Sequence, residues 1–341
     1  MKKIIGANAH PSRPVAAPSV KYLNVDAESA GQRLDNYLQR HLKGVPKSHV
    51  YRIIRSGEVR LNKARATADR RVQAGDEVRI PPIRLAAQAP LGAAPSTPAP
   101  ARSFPILLED EHLIAIDKPA GVAVHGGSGV SFGVIEQIRR ARPEARYLEL
   151  VHRLDKDTSG LLMIAKKRSA LVKLHEAIRN DHPKKIYLAL GVGKLPNDSF
   201  HVKLPLFKYT GAQGEKMVRV SEDGQSAHTI FRVLNRFSDD LLHQVGLSHL
   251  TLVQATLKTG RTHQIRVHLQ SQQCPIAGDE RYGDYQANKR LQKLGLKRMF
   301  LHAAELHLDH PLTGKKLILK APLPQDLAQF VLMLENAGKV V

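Results

Sequence analysis

Residues 84–102 do most to decide how this chain can fold. They are mostly Ala and Pro, with Pro90, Pro95, Pro98 and Pro100 among them, and they lack a periodic apolar face. Proline has no N–H to give to a helix or a central strand, so this stretch is expected to be a partly extended linker. The chain therefore divides into an N-terminal part and a domain over residues 103–341. Pro11, Pro14 and Pro18 sit among small residues near the start. Residues 1–30 are expected to form a flexible lead-in.

Between lead-in and linker the pattern tightens. Leu34, Leu38 and Leu42 recur at helical spacing, with Tyr37 on the same face. After Pro46, Ser48 is the expected cap of a second helix that turns Val50, Ile53 and Ile54 inward and ends at Gly57. Val59 and Leu61 read as a short strand, Gly75-Asp76 as a turn and Val78–Ile80 as another strand. Residues 31–83 should thus make a small α/β module. It holds twelve Lys/Arg against five Asp/Glu, a net charge of +7. Arg52 and Arg55 fall off the apolar face of the second helix, where they can meet phosphates.

That bias runs through the whole chain. Lys and Arg total 52 against 31 acidic residues, a formal net charge of +21. Such an excess repels itself in the folded state, and a polyanionic partner is its natural counterpart. Nucleic acid is favoured over an anionic membrane, because no basic amphipathic segment flanks an apolar anchor. No apolar run approaches a membrane span and no cleavage pattern follows Lys2–Ile5, so the cytosol is the expected compartment. The single cysteine, Cys274, excludes a disulfide framework and a multi-cysteine zinc site. It also excludes a zinc nucleobase deaminase, which needs a paired-cysteine motif. Cys274 lies beside Pro275 without a partner base and reads as a packing residue.

The domain after the linker alternates strand and turn. Ile106–Leu108, Leu113–Ile116, Leu161–Ala165, Ile186–Leu190, Leu250–Leu257 and Lys316–Leu319 are candidate strands. Ser169 is placed to cap a helix carrying Leu171, Leu174, Ala177 and Ile178. Strands outnumber helices and are joined by hairpin-like turns, which points to an α+β domain with a mainly antiparallel sheet.

Just before the most apolar strand lies His152-Arg153-Leu154-Asp155-Lys156-Asp157-Thr158-Ser159-Gly160. Two carboxylates, a guanidinium, two hydroxyls and a glycine on a rigid strand edge are the makings of a functional loop. Asp155 has no obvious local structural task, although an Asp among Ser, Thr and Gly is more often a turn-former. His152, Asp155 and Asp157 are a weak metal candidate, with no second ligand cluster to complete it.

These residues carry a resemblance. Arg33–Leu38 together with Ser56–Asn62 resembles the S4 RNA-binding domain. His152-Arg153-Leu154-Asp155 resembles the signature of pseudouridine synthases of the RluA group. Lys185-Ile186-Tyr187, Thr259–His268, Asp279–Gly283, Phe300–Ala303 and Leu317–Pro322 match further blocks of that group in order. The resemblance implies a long mixed, mostly antiparallel sheet. It also implies an enzyme that converts uridine to pseudouridine in structured RNA, with large-subunit ribosomal RNA as the expected substrate. The isomerisation stays within one nucleoside and needs no cofactor, in keeping with the lack of a dinucleotide fingerprint or P-loop. A monomer is expected.

By the same resemblance Asp155 is the catalytic carboxylate, and Arg153 fills the space that the flipped nucleotide leaves or holds the displaced backbone. Arg261 is the cation paired with Asp155. Tyr187 stacks on uracil, removes the C5 proton, or does both. Leu319 is expected to form the apolar wall under the base, and Lys320 to approach Asp155 or a phosphate. His263 and His268 are expected to order the Arg261 loop. Whether Asp155 attacks C1′ or works through a glycal is open in the sequence. The rival reading is a catalytically silent RNA-binding or ribosome-assembly factor, which would lack one of Asp155, Tyr187 and Arg261.

Overall fold

The computed structural model describes residues 19–27, 29–42, 44–83, 99–126, 132–180, 183–212 and 214–338. They form two compact units that divide after Ser96. Most of the expected lead-in and residues 84–98 of the linker lie outside the described residues.

The first unit contains β1 (Lys21–Asn24), α1 (Leu34–His41), α2 (Lys47–Arg55), β2 (Arg60–Leu61) and β3 (Glu77–Ile80). Its strands pair in the order β1-β3-β2. The lead-in expected over residues 1–30 therefore stops short, because Lys21–Asn24 pairs antiparallel with β3. Leu34, Tyr37 and Leu38 of α1 meet Val50, Ile53 and Ile54 of α2 over Leu61, Val78 and Ile80 of the sheet. Burying such side chains contributes roughly 1.5–3 kcal/mol each. The expected cap moves by two residues: α2 begins after Pro46, so Ser48 lies inside its first turn. Gly57 follows the helix with φ +74°, a conformation that suits glycine. Arg52 and Arg55 are exposed, and Arg52 lies 3.2 Å from the His49 ring.

The second unit opens with β4 (Ile106–Glu109), β5 (Leu113–Lys118), α3 (Val134–Ala141), β6 (Glu149–Leu150), β7 (Ser159–Ala165), α4 (Arg168–Asn180) and β8 (Lys184–Val192). It continues through β9 (Ser199–Val202), β10 (Leu206–Thr210), β11 (Lys216–Val220), β12 (Thr229–Phe237), α5 (Asp240–Gln244) and β13 (Leu250–Leu257). It closes with α6 (Gln264–Ser271), α7 (Tyr285–Lys293), β14 (Leu301–Asp309), β15 (Lys316–Lys320) and α8 (Gln325–Ala337). Ten strands form one sheet in the order β4-β5-β7-β14-β8-β13-β12-β9, with β15 added to β14 and β6 to β7. Among the described residues only the β14–β7 pairing is parallel, so the sheet is mixed and mostly antiparallel. Strands β10 and β11 form a separate hairpin.

Alternation along the strands distributes the core between the two faces. Ile265 and Leu269 of α6 pack on Ala189, Val253 and Ala255, whereas Leu190 and Leu250 face Leu291 of α7 and Phe330 of α8. Further along, α3 covers Ile114, Ile116, Leu162 and Ile164, and Leu174 of α4 packs with Ala115, Leu161 and Met163. Tyr187 touches both the α6 cluster and the α3 cluster. The parallel pairing sets Gly160 beside Ala303, and Ala303 also pairs with Tyr187. The loop before β7 and the tyrosine of β8 thus meet across β14. A Cβ on Gly160, whose φ is +108°, would fall 2.3 Å from the Ala303 carbonyl oxygen, so only glycine permits this approach.

Candidate active site

The loop before β7 is held at three points. His152 Nε2 accepts a hydrogen bond from the Met163 N–H at 3.1 Å. Burial pushes this imidazole down to about 4, so it is neutral. With that lone pair engaged on the backbone, His152 is unavailable as the metal ligand considered above. Lys118 is fully buried and donates to the carbonyls of Pro119, Val122 and Lys156 at 2.8, 2.8 and 3.0 Å. At the far end Ser159 Oγ accepts from Arg298 Nη2 at 2.6 Å and lies 3.0 Å from His302 Nδ1. His302 Nε2 faces the Ala321 carbonyl at 3.1 Å and must donate to it, so Nδ1 accepts the serine hydroxyl.

Held in this way, the loop presents Asp155 to a groove of about 910 Å³. Arg153, Tyr187, Lys208, Arg261, His263 and Arg266 also line it. The Asp155 carboxylate does not serve as a local turn-former. Its Oδ2 accepts from Arg266 Nη1 at 3.2 Å, across 111 positions of sequence. The Asp155 main chain makes the turn instead, its carbonyl accepting from the Thr158 N–H.

The cation beside Asp155 is therefore Arg266, and the expectation for Arg261 is corrected. The main chain of His263 is left-handed, with φ 53°, and starts α6 there. Arg266 then falls on the inner side of the helix with its side chain only 6% exposed. Arg261 lies before that turn, is exposed, and donates from Nε to the Ser226 carbonyl at 3.0 Å.

Arg266 is itself fixed by Asp279, which accepts from Nε at 2.7 Å and Nη2 at 2.8 Å. The backbone N–H groups of Arg281 and Tyr282 also donate to Asp279. Burial opposes charge on both Arg266 and Asp279, but their mutual fork outweighs it. The arginine is held above its usual range and the aspartate below. The Tyr282 ring lies 4.9 Å under the Arg266 guanidinium.

A neutral relay approaches Asp155 from the side. Tyr282 Oη accepts from the Val218 N–H at 2.9 Å, so its proton faces His263 Nδ1, 2.8 Å away. Burial lowers the pKa of His263. Its remaining N–H, at Nε2, points toward Asp155 Oδ2 at 3.8 Å. His268 bonds Thr229 Oγ1 and the Leu204 carbonyl, on the far side of α6 from this chemistry.

Tyr187 lines the groove, and its hydroxyl pKa is raised by burial first and by Asp155 second. The phenol is therefore protonated at neutral pH. Leu154, Leu257, Ile265 and Leu301 are among the apolar residues of the lining. Two expectations fail here. Leu319 is buried among Leu161, Met163, Leu174 and Leu306 and does not line the groove. Lys320 is exposed and lies 3.6 Å from Glu305, away from Asp155. Both failures follow from register: β15 pairs with β14 only from Glu305 to Asp309, beyond the Ala303 crossing. Cys274 is fully buried, and burial pushes its thiol up to about 12, as suits a packing residue. Arg266, Asp279 and the His263–Tyr282 pair all lie within the blocks singled out above. No sequence signal distinguished Arg266 from Arg261, because which of the two turns inward depends on one left-handed residue.

Known proteins carry the same plan. The family model described as RNA pseudouridylate synthase matches residues 112–271, and the S4 domain model matches residues 32–78. The ribosomal large subunit pseudouridine synthase C of Salmonella typhimurium is 49% identical over 94% of this chain and 98% of its own length. That of Escherichia coli K12 is 48% identical with the same coverage. A solved structure, Human RNA Pseudouridylate Synthase Domain Containing 4, superposes with a TM-score of 0.54 at 28% identity, covering 68% of this chain and 93% of its own. With this identity along almost its whole length, the chain belongs to the RNA pseudouridine synthase family and is an isomerase with an N-terminal S4 RNA-binding domain.

Proposed function

We propose that the protein isomerises specific uridines of large-subunit ribosomal RNA, working as a monomer in the cytoplasm. The observation that carries the site assignment is the Asp155 carboxylate, held by an arginine that Asp279 has already oriented, in a groove walled by Tyr187. The ribosomal substrate rests on the near full-length similarity to synthases named for that RNA. The basic S4 unit and the linker supply reach and phosphate contacts.

Asp155 offsets the positive charge that develops at C1′ as the N1–C1′ bond breaks. Arg266 keeps it aimed there. Arg153 is exposed at the groove and takes the space of the extruded nucleotide. The uracil turns against the Tyr187 ring until C5 meets C1′. Tyr187 then takes the C5 proton as its own hydroxyl proton passes to the neighbouring Asp155, so no free phenolate is required. Asp155 then releases that proton to solvent and N1 takes one from solvent, so the proton lost from C5 is balanced, the carboxylate is restored, and no redox partner enters. Arg261, Arg52 and Arg55 bind the RNA backbone.

Pseudouridine mapping of cellular RNA with and without the protein tests this reading. Sites in large-subunit ribosomal RNA should vanish on deletion and return with the wild-type chain. A map unchanged in that RNA sinks the substrate assignment.

A further inference from the structure

The β10–β11 hairpin stands outside the ten-stranded sheet, and its two faces differ. Strand alternation turns Leu206 and Val218 inward, where they are buried with Val267 and Tyr282. On the same side Lys208 lines the catalytic groove. The other face carries Phe207 and Tyr209, 38% and 40% exposed, with Arg219 directly across from Phe207. The Arg219 guanidinium lies 5.8 Å from the Phe207 ring centroid and 5.6 Å from that of Tyr209. Two flat rings and a planar cation are thus offered to solvent side by side.

We propose that this outer face is a second RNA contact, on which unstacked bases flanking the target uridine pack against Phe207, Tyr209 and Arg219. It rests on the RNA reading above and extends it beyond the groove. Nucleobases stack on aromatic rings and guanidinium planes whatever their sequence. The charge fits a polyanion: Lys203, Lys208, Lys216 and Arg219 accompany one acidic residue, Glu215, over residues 203–220. A protein partner would favour a broader apolar centre with fewer cations. Lys208 lines the groove from the hairpin's inner side, so an RNA strand leaving Asp155 reaches Phe207 and Tyr209 by passing over the hairpin edge.

The hairpin is also fixed with respect to the reacting carboxylate. Its Val218 N–H donates to Tyr282 Oη, which contacts His263, whose Nε2 faces Asp155. Arg281 Nη1 adds a bond to the Lys216 carbonyl at 3.1 Å. Bases stacked on the outer face therefore sit at a set distance from Asp155.

The test uses the full chain and unmodified transcript of Escherichia coli large-subunit ribosomal RNA, with Kd measured over a range of salt. The F207L/Y209L double variant should bind about tenfold or more weakly, because each base–ring stack is lost, with the salt slope unchanged. The F207W/Y209W variant restores flat faces and should recover most of the affinity. Arg219→Gln should weaken binding too, because it removes the guanidinium plane on which a base packs. A wild-type Kd in F207L/Y209L would overturn the proposal and leave the face to a protein partner. So would a Trp variant as weak as the Leu variant. Pseudouridine formation by the wild type in the same transcript is scored separately, so failure of the ribosomal substrate reading is told apart from failure of the hairpin contact.

Discussion

Arg266 reaches Asp155 with one nitrogen, at 3.2 Å, while its other two close a fork on Asp279. The aiming of Asp155 thus depends on a carboxylate 124 positions away that never meets the substrate. Asp279→Asn should halve that fork and leave a buried guanidinium short of its counter-charge. Its expected cost is roughly 3–5 kcal/mol in stability. Arg266→Lys keeps the charge but cannot grip both carboxylates. Single-turnover pseudouridine formation should fall about 100- to 1,000-fold in Arg266→Lys, the scale of losing one preorganised electrostatic contact. Arg261→Gln should mainly raise the RNA Kd. If Arg261→Gln loses the greater share of the single-turnover rate, Arg266 is not the functional partner.

What the sequence made legible, and what it hid, follows from range. The apolar spacing of α1 and α2 and the run of β7 are local patterns, and they located those elements. Asp155 and Tyr187 were legible because each sits within a short motif. The partner of Asp155 was not, because Arg261 and Arg266 share one motif and only the turn at His263 sends Arg266 inward. Leu319 and Lys320 were misplaced for a different reason. They follow Gly314 on a strand whose register along β14 sequence does not state, and that register carries them past the groove.

Only Lys156 separates Asp155 from Asp157, yet of the two only Asp155 meets Arg266. Asp155→Asn keeps the size and loses the charge. Because Arg266 remains forked by Asp279, the variant should fold. RNA affinity comes mainly from phosphate contacts spread over the groove and should stay near wild type. Single-turnover assays should detect no pseudouridine. Asp157→Asn should retain most of the activity. The reverse result, an active Asp155→Asn and an inactive Asp157→Asn, would move the catalytic carboxylate.

Tyr187 combines a ring that lines the groove with a hydroxyl kept protonated by burial and by Asp155. Tyr187→Phe should bind RNA and lose turnover, since the proposed proton transfer through its hydroxyl is lost. Tyr187→Leu should also lose the base stack, adding about 1–3 kcal/mol of weaker binding. Wild-type turnover in the Phe variant would reduce Tyr187 to a platform.

The two units make a separate prediction. Every residue named at the site lies after Ser96, so a chain starting near residue 103 should fold and keep the chemistry on saturating RNA. Its Kd should rise, and its affinity should depend less steeply on salt, because phosphate contacts from Arg52, Arg55 and their neighbours are gone. Circular dichroism and Kd measurements at several salt concentrations check this. An unchanged salt slope would take RNA binding away from the first unit.

Lys118 gives the site a pH dependence with a distinctive sign. Burial brings its ammonium down to about 8 from the usual 10.5, and that ammonium pins the Lys156 carbonyl one residue from Asp155. Loss of its proton leaves two N–H donors for three carbonyls, so the loop should loosen as pH rises through 8. Stability moves the other way. With the folded pKa below the unfolded one, the unfolded chain holds more protons between pH 8 and 10.5, and this group's contribution to unfolding free energy rises across that window. Activity should therefore decline above pH 8 while Tm does not fall on account of Lys118. Single-turnover rates and melting curves between pH 7 and 9.5 check the divergence. Lys118→Met, which leaves all three carbonyls without their donor, should lose activity at every pH and cost about 2–4 kcal/mol of stability. An alkaline limb that persists in residual Lys118→Met activity would assign the titration to another group.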